Sequence, residues 1–273
     1  MKKHPMLKYL KEEAPAGLRL PLIMCPGCGA GQVLNYTLHA VDTLLREDGL
    51  RKEDFVFISG VGCSSRLTSH YLNFDSGWTL HGRALSFATG ALLANPKLKI
   101  IVFTGDGDAA AIGGNHFIHT CRRNMDLTVI CMNNGLYGMT GGQMAPTTPV
   151  GRRTTTTPYG NVEDEFDLCR LAETAGAPYV ARWTTAHPHQ IIKSVIQGVR
   201  KKGLAFIEVL SQCPVHSKTA PAEMFRNMKK ITAPLKKVAD GQAEGKIPIG
   251  EFRNIDKPDW NERYQKVMDQ FAI

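Results

Sequence analysis

Two sets of residues in this 273-residue chain have the types and spacing to do chemistry. The first is a set of oxygen donors in "GDGDAAAIGGNH" (105–116) and "NNGLYGMTGGQ" (133–143). Asp106 brings a carboxylate, Asn134 an amide oxygen and Leu136 a main-chain carbonyl at a turn. Brought together, they are ligands for a hard cation such as Mg²⁺, which takes oxygen in near-octahedral geometry and shares it with phosphates. The glycines around them let main chain approach the oxygens of a diphosphate and offer N–H donors to it. A Gly-Asp-Gly alone is usually a turn; the Asn-Asn pair 25 residues beyond it gives it meaning.

The second set is sulfur. Cys25 and Cys28 stand in "MCPGCGAG" (24–31), Cys63 in "GVGCSS" (60–65) and Cys213 in "SQCPV" (211–215). Four thiolates suit a [4Fe–4S] cluster. A structural zinc and a dithiol redox pair are the competing readings. Cys121, Cys131 and Cys169 fall inside expected helices and strands and read as core. The run "SGVGCSS" also hints at a dinucleotide turn, but it lacks the third glycine position and a ribose-binding acid.

Both sets need a frame. "DFVFIS" (54–59), "KIIVFT" (99–104), "LTVICM" (127–132) and "AFIEVL" (205–210) are unbroken apolar runs of strand length. That is the pattern of strands buried on both faces of a parallel sheet. Helical spacing runs through 29–47, 82–95, 113–124, 164–176 and 187–202. Strand and helix in alternation predict an α/β fold, a doubly wound, mostly parallel sheet with helices on both faces. Ligands of such sheets sit where strands end and helices begin. Cys63, Asp106, Asn134 and Cys213 all follow predicted strands. Residues 1–213 read as one domain. Residues 214–273, where Pro, Gly and charge alternate, read as an irregular C-terminal tail laid on the domain or on a partner subunit.

Hydrophobic residues make up 43% and aromatics 8%, ordinary for a globular chain. No run approaches the ~20 apolar residues of a membrane span. The first twenty residues are charged throughout and lack the apolar stretch of a secretory signal, so the expected location is the cytoplasm. Seven cysteines there argue against a disulfide framework. Net charge is +8, with much of the excess in "RKKG" (200–203), "RNMKK" (226–230) and "PLKKV" (234–238). Aromatics are scarce in those stretches, which disfavours nucleic acid and leaves a solvated basic face or a dock for an acidic protein.

The motifs "CPGCG", "GVGCSS", "TLHGRA", "GDGDAAAIGGNHFIH" and "NNGLYGMTGGQMAPTT", spread over about residues 20–215, together resemble one family. It is the β subunits of the 2-oxoacid:ferredoxin oxidoreductases, and residues 113–143 are most similar to its 2-oxoglutarate members. The resemblance implies thiamine diphosphate anchored through Mg²⁺ on Asp106, Asn134 and Leu136, and a [4Fe–4S] cluster on Cys25, Cys28, Cys63 and Cys213. It implies cofactor contacts at Gly62, Cys63, Ser64, His81, Gly82, Gly107, Asp108, Gly138, Met139 and Thr140, with Arg83 as a further candidate. The activity implied is oxidative decarboxylation of a 2-oxoacid to acyl-CoA and CO₂. Coenzyme A is co-substrate, ferredoxin receives the electrons, and the reaction reverses as reductive carboxylation. 2-Oxoglutarate is favoured over pyruvate and branched 2-oxoacids. The glutamate that activates the aminopyrimidine has no counterpart at a predicted strand end, so no catalytic residue is nominated here. A separate α subunit is expected to bring it, in an αβ or (αβ)₂ assembly. A non-catalytic iron–sulfur electron carrier would leave Asp106 and Asn134 without a purpose. A non-redox thiamine decarboxylase fragment with structural zinc would do the same for the four cysteines.

Overall fold

The apolar runs become the middle of a sheet in a computed structural model of the chain, which describes residues 4–10, 24–68 and 71–271. The elements up to residue 210 are α1 (Pro5–Tyr9), α2 (Gly29–Glu47), β1 (Phe55–Ser59), β2 (Asp75–Trp78), α3 (Ala84–Ala94), β3 (Lys99–Gly105), α4 (Gly114–Arg123), β4 (Thr128–Asn133), α5 (Leu168–Thr174), β5 (Tyr179–Thr184), α6 (Pro188–Arg200) and β6 (Ala205–Leu210). Then follow α7 (Pro214–Ser217), α8 (Pro221–Ile231), β7 (Thr232–Pro234), α9 (Leu235–Ala239), β8 (Ile247–Asn254) and α10 (Trp260–Phe271). The strands lie in the order β2-β1-β3-β4-β6-β5-β8-β7. β1 to β6 run parallel.

Helices cover both faces, as the alternation predicted. Val33, Leu34 and Leu38 of α2 and Ile191 and Val195 of α6 bury against Phe57, Phe103 and Ile130 on one face. Leu85 and Leu92 of α3, Phe117 of α4 and Leu168 of α5 bury against Val102, Val129 and Phe206 on the other. Each such side chain contributes roughly 1.5–3 kcal/mol by leaving water. Cys121, Cys131 and Cys169 belong to this second layer and are fully buried.

Parallel pairing fixes where the chemistry falls. Register sets Ser59 beside Phe103, Gly105 beside Met132 and Asn133 beside Leu210. The carboxyl ends of β1, β3, β4 and β6 therefore share one edge. The loop after β1 closes in a short turn, Ser64–Leu67, rather than the long helix a dinucleotide site would need.

The segment after residue 213 is more regular than expected. β8 extends the sheet, antiparallel to β5 with a bulge at Val180/Ala181, and β7 pairs parallel with β8. "IPIGEFRN" hid as a strand because its Pro248 and Gly250 are tolerated only near an edge, and β7 shields it there. No helix among the described residues is long and apolar enough to cross a membrane. Residues 11–20 of the charged N-terminal stretch lie outside the described residues.

Candidate functional site

Asp106 leaves the end of β3 and turns inward, 2% exposed. Burial pushes its carboxyl up to about 6, against the pull of hydrogen bonds from the Thr147 hydroxyl and the Asn134 N–H. Thr147 Oγ1 donates to Oδ2 at 2.5 Å. The asparagines after β4 divide their work. Asn133 turns away from the cleft, its amide donating to Glu208 Oε1 at 2.7 Å and its oxygen accepting the Gly135 N–H at 3.0 Å. Asn134 lines the cleft and accepts the Leu136 N–H at 3.1 Å, which folds the chain back so that Leu136 lines it too.

Asp106, Asn134 and Leu136 share this cleft with Gly62, Cys63, Ser64, His81, Gly107, Asp108, Gly138, Met139 and Thr140. Of the expected cofactor contacts Gly82 is not in the lining; its N–H is given to Asp108 Oδ1 at 2.7 Å. Asp108 lines the cleft with its carboxylate already engaged. It accepts the Val61 N–H at 3.3 Å and the Thr104 hydroxyl at 2.8 Å, and faces His81 Nδ1 at 2.8 Å. It ties the loop after β1 to the turn before α3. His81 Nδ1 also reaches the Val61 carbonyl at 2.9 Å. With acceptors on both sides Nδ1 carries the proton, which leaves Nε2 for a ligand. Gly107 is required where it stands, because a methyl group there would overlap the Tyr137 ring. Arg83 lies outside the cleft, in a depression with Trp78, Leu80 and Phe87.

The thiols converge on the same edge. Cys28 caps α2 and its N–H closes a turn on the Cys25 carbonyl at 2.9 Å. Cys63 starts the turn after β1, and Cys213 precedes α7. Burial pushes the Cys63 thiol up to about 11, and Cys28, Cys213 and Cys25, in that order, add to the rise. Cys28 is raised by burial and then, after a backbone hydrogen bond that opposes it, by Cys213 and Cys25. The four sulfurs are thus one electrostatic neighbourhood. A methyl group on Gly138 would stand 3.5 Å from the Cys63 sulfur and 3.8 Å from that of Cys213. The bare glycine keeps open the space these thiols face. Among the described residues no three His, Cys, Asp or Glu side chains are gathered for a single metal ion.

Several residues that hold the site were not singled out from sequence. Gln212, 4% exposed, donates to the Gly27 carbonyl at 3.2 Å and the Gln32 amide oxygen at 2.8 Å, and accepts the Thr185 hydroxyl at 2.7 Å. It locks the Cys25–Cys28 turn to Cys213. Arg152 Nη1 donates to the carbonyls of Asn134 at 3.1 Å and Gly135 at 3.4 Å. Thr147 stood in the quoted "MAPTT", but nothing local marked it as a partner of Asp106.

The residues present fit the groups the sequence suggested. Asp106 is a buried carboxylate whose hydrogen bonds offset only part of its desolvation, the condition a cation relieves. Beside it stand an amide oxygen, a carbonyl and glycine-rich main chain. At Gly138 two thiols border a space that a single methyl would enter.

Residues 60–209 match the family model "Thiamine pyrophosphate enzyme, C-terminal TPP binding domain", so fold and cleft are those of a thiamine pyrophosphate-binding domain. The chain is 51% identical to 2-oxoglutarate synthase subunit KorB of Methanocaldococcus jannaschii, with 98% of each chain covered. It is 48% identical to the subunit of that name in Methanothermobacter thermautotrophicus, over 98% of this chain and 93% of the other. A solved 2-oxoglutarate:ferredoxin oxidoreductase from Magnetococcus marinus, with 2-oxoglutarate, coenzyme A and succinyl-CoA bound, matches with a TM-score of 0.86 at 30% identity. The match covers 98% of this chain and 90% of that one. The chain belongs to the β subunits of the 2-oxoacid:ferredoxin oxidoreductases, alongside the KorB proteins.

Proposed function

We propose that the chain, joined to an α subunit in the cytoplasm, converts 2-oxoglutarate and coenzyme A to succinyl-CoA and CO₂ and hands the electrons to a ferredoxin. One observation carries the reading: Asp106, Asn134 and Leu136 line the same cleft as Cys28 and Cys63. Thiamine diphosphate, when bound, supplies the electron sink that lets a 2-oxoacid lose CO₂ and then two electrons, which a [4Fe–4S] cluster takes singly. The chain's own residues do the rest. Asp106, Asn134 and the Leu136 carbonyl would hold Mg²⁺ against the diphosphate, and the main chain at Gly62, Gly107 and Gly138 would meet phosphate and ring. Asp108 fixes His81 so that Nε2 is the ring atom a ligand meets. Val61, Met132 and Leu136 give the cleft apolar walls that keep water out. Cys63 belongs to both halves, a cleft wall and a cluster thiolate, so the electron path is short. The favoured substrate rests on the relatives' names and on the structure of the Magnetococcus marinus enzyme.

The test is anaerobic co-expression with the α subunit, followed by viologen reduction with 2-oxoglutarate, pyruvate and branched 2-oxoacids. Reduction that requires coenzyme A and is fastest with 2-oxoglutarate is expected. A complex carrying iron and thiamine diphosphate that ignores coenzyme A, or prefers pyruvate, would overturn the substrate assignment.

A further inference from the structure

The four thiols are not equally placed. Cys28 and Cys63 line the cleft, whereas Cys25 is exposed on the outer side of its turn. A cluster held by all four would therefore reach from the cleft to the surface at Cys25. What packs against the Cys25–Cys28 turn is the start of α8. A methyl group on Gly27 would overlap the Pro221 ring that opens this helix. Met228 of α8 is buried with its sulfur 3.4 Å from the Thr185 hydroxyl oxygen, which anchors the helix on the strand edge that carries the site.

The outer side of α8 is cationic. Arg226, Lys229 and Lys230 are exposed, Lys218 is exposed in the turn before the helix, and the Lys246 ammonium donates to the Lys230 carbonyl. Between residues 214 and 239 six Lys and Arg stand against a single acid, Glu223. None of these cations is in an ion pair among the described residues. Exposed Val215 and Ile231 place apolar surface within the basic field.

The earlier basic run is a different case. Arg200 pairs with Asp48 and Glu47, Lys201 with Asp256 and Lys202 with Glu262. It follows the end of α6 and precedes β6, so it lies at the amino edge of the sheet, away from the thiols. Charge there is neutralised; charge on α8 is not.

We infer that α8 and the Lys218 turn, next to the Cys25–Cys28 turn, form the docking face for a small acidic protein that carries single electrons. The inference rests on the cluster and the electron transfer proposed above. An uncompensated patch of one sign steers an opposite partner and fixes its orientation, while Val215 and Ile231 would give the encounter a desolvated centre. Placing the carrier here sets its redox centre against the exposed thiolate instead of the substrate cleft.

The test uses the complete complex with Arg226→Gln, Lys229→Gln and Lys230→Gln combined, against Lys201→Gln with Lys202→Gln as the opposite-edge comparison. Ferredoxin reduction and viologen reduction are both followed from low to high salt. The α8 variant should lose about tenfold in kcat/KM for ferredoxin at low salt and show a flattened salt response. Its viologen rate should stay at wild type, and the comparison variant should match wild type with both acceptors. Unchanged ferredoxin kinetics, an equal loss in the comparison variant, or a parallel fall in viologen rate would overturn the docking face. If the wild-type complex reduces viologen but not ferredoxin, the docking face falls while the substrate chemistry stands. If it reduces neither, the proposed function fails first.

Discussion

Asp106 is where burial and chemistry pull in opposite directions. Its carboxyl titrates near 3.8 when unfolded and about 6 in the fold, because burial penalises the charged form. The folded chain thus binds the proton more tightly, and without metal its stability falls as pH rises from about 4 to about 6, levelling beyond. The loss is on the order of 3 kcal/mol. Asp126 is also pushed up to about 6 by burial and adds a slope of the same sign. Thermal melts of the metal-free protein should show Asp106→Asn removing part of that slope; an unchanged slope would remove Asp106 from the account. Mg²⁺ with thiamine diphosphate should bind the wild type more tightly as pH passes 6, and Asp106→Ala should abolish binding while the iron content stays. Gly138→Ala asks the complementary question. Its methyl makes ordinary contacts with the two sulfurs, so the chain should fold, yet iron incorporation should fail. Full iron content in that variant would show that the cluster lies elsewhere. At this scale the sequence spoke clearly where chemistry demands a residue type: a carboxylate, an amide, a thiolate. It was silent on Thr147, Gln212 and Arg152, whose importance lies in partners 41, 185 and 18 positions away.

The elements repeat that pattern. β1, β3, β4 and β6 were legible because strands buried on both faces are written as apolar runs. β5, "YVARWT", was not, because Arg182 interrupts it. That guanidinium is buried and compensated across the sheet: its Nε donates to Glu208 Oε2 at 2.6 Å and its Nη2 to Asp167. Glu208 also takes the Cys169 thiol at 3.2 Å and the Asn133 amide at 2.7 Å. β6 thus carries the acid that seats an arginine on β5 and the first asparagine on β4, one residue before the expected metal ligand. Glu208→Ala would leave Arg182 buried beside a lost charge, at a cost of about 3–5 kcal/mol. Glu208→Gln keeps the shape and an oxygen for Asn133, so it should fold with a smaller loss. Because the Asn134 turn hangs on Asn133, the variants should also weaken Mg²⁺–thiamine diphosphate binding, the alanine more than the glutamine, as isothermal titration would read. Destabilisation with unchanged cofactor affinity would confine Glu208 to the fold.

For the whole molecule the division of labour runs between the two edges of the sheet and between this chain and its partner. The carboxyl edge holds the cleft, the thiols and α8, while the amino edge holds paired charges. Beside the cleft lies surface that a lone chain has no reason to leave bare: Leu80 is 79% exposed, Phe87 55% and Ile112 54%. Leu80 precedes His81 in the chain and Ile112 ends the turn that begins at Asp108, so whatever covers them also closes over the cleft. An exposed apolar group of this kind marks an interface, and it is the rim on which the proposed α subunit would seat. Leu80→Asp with Phe87→Asp changes exposed side chains only, so the isolated chain should keep its melting temperature and its iron and thiamine diphosphate content. Co-expressed with the α subunit, it should no longer elute as a complex on size exclusion, and 2-oxoacid-dependent viologen reduction should vanish with the assembly. A complex of wild-type mass and rate would mean that the partner seats elsewhere, and that the apolar rim faces some other neighbour.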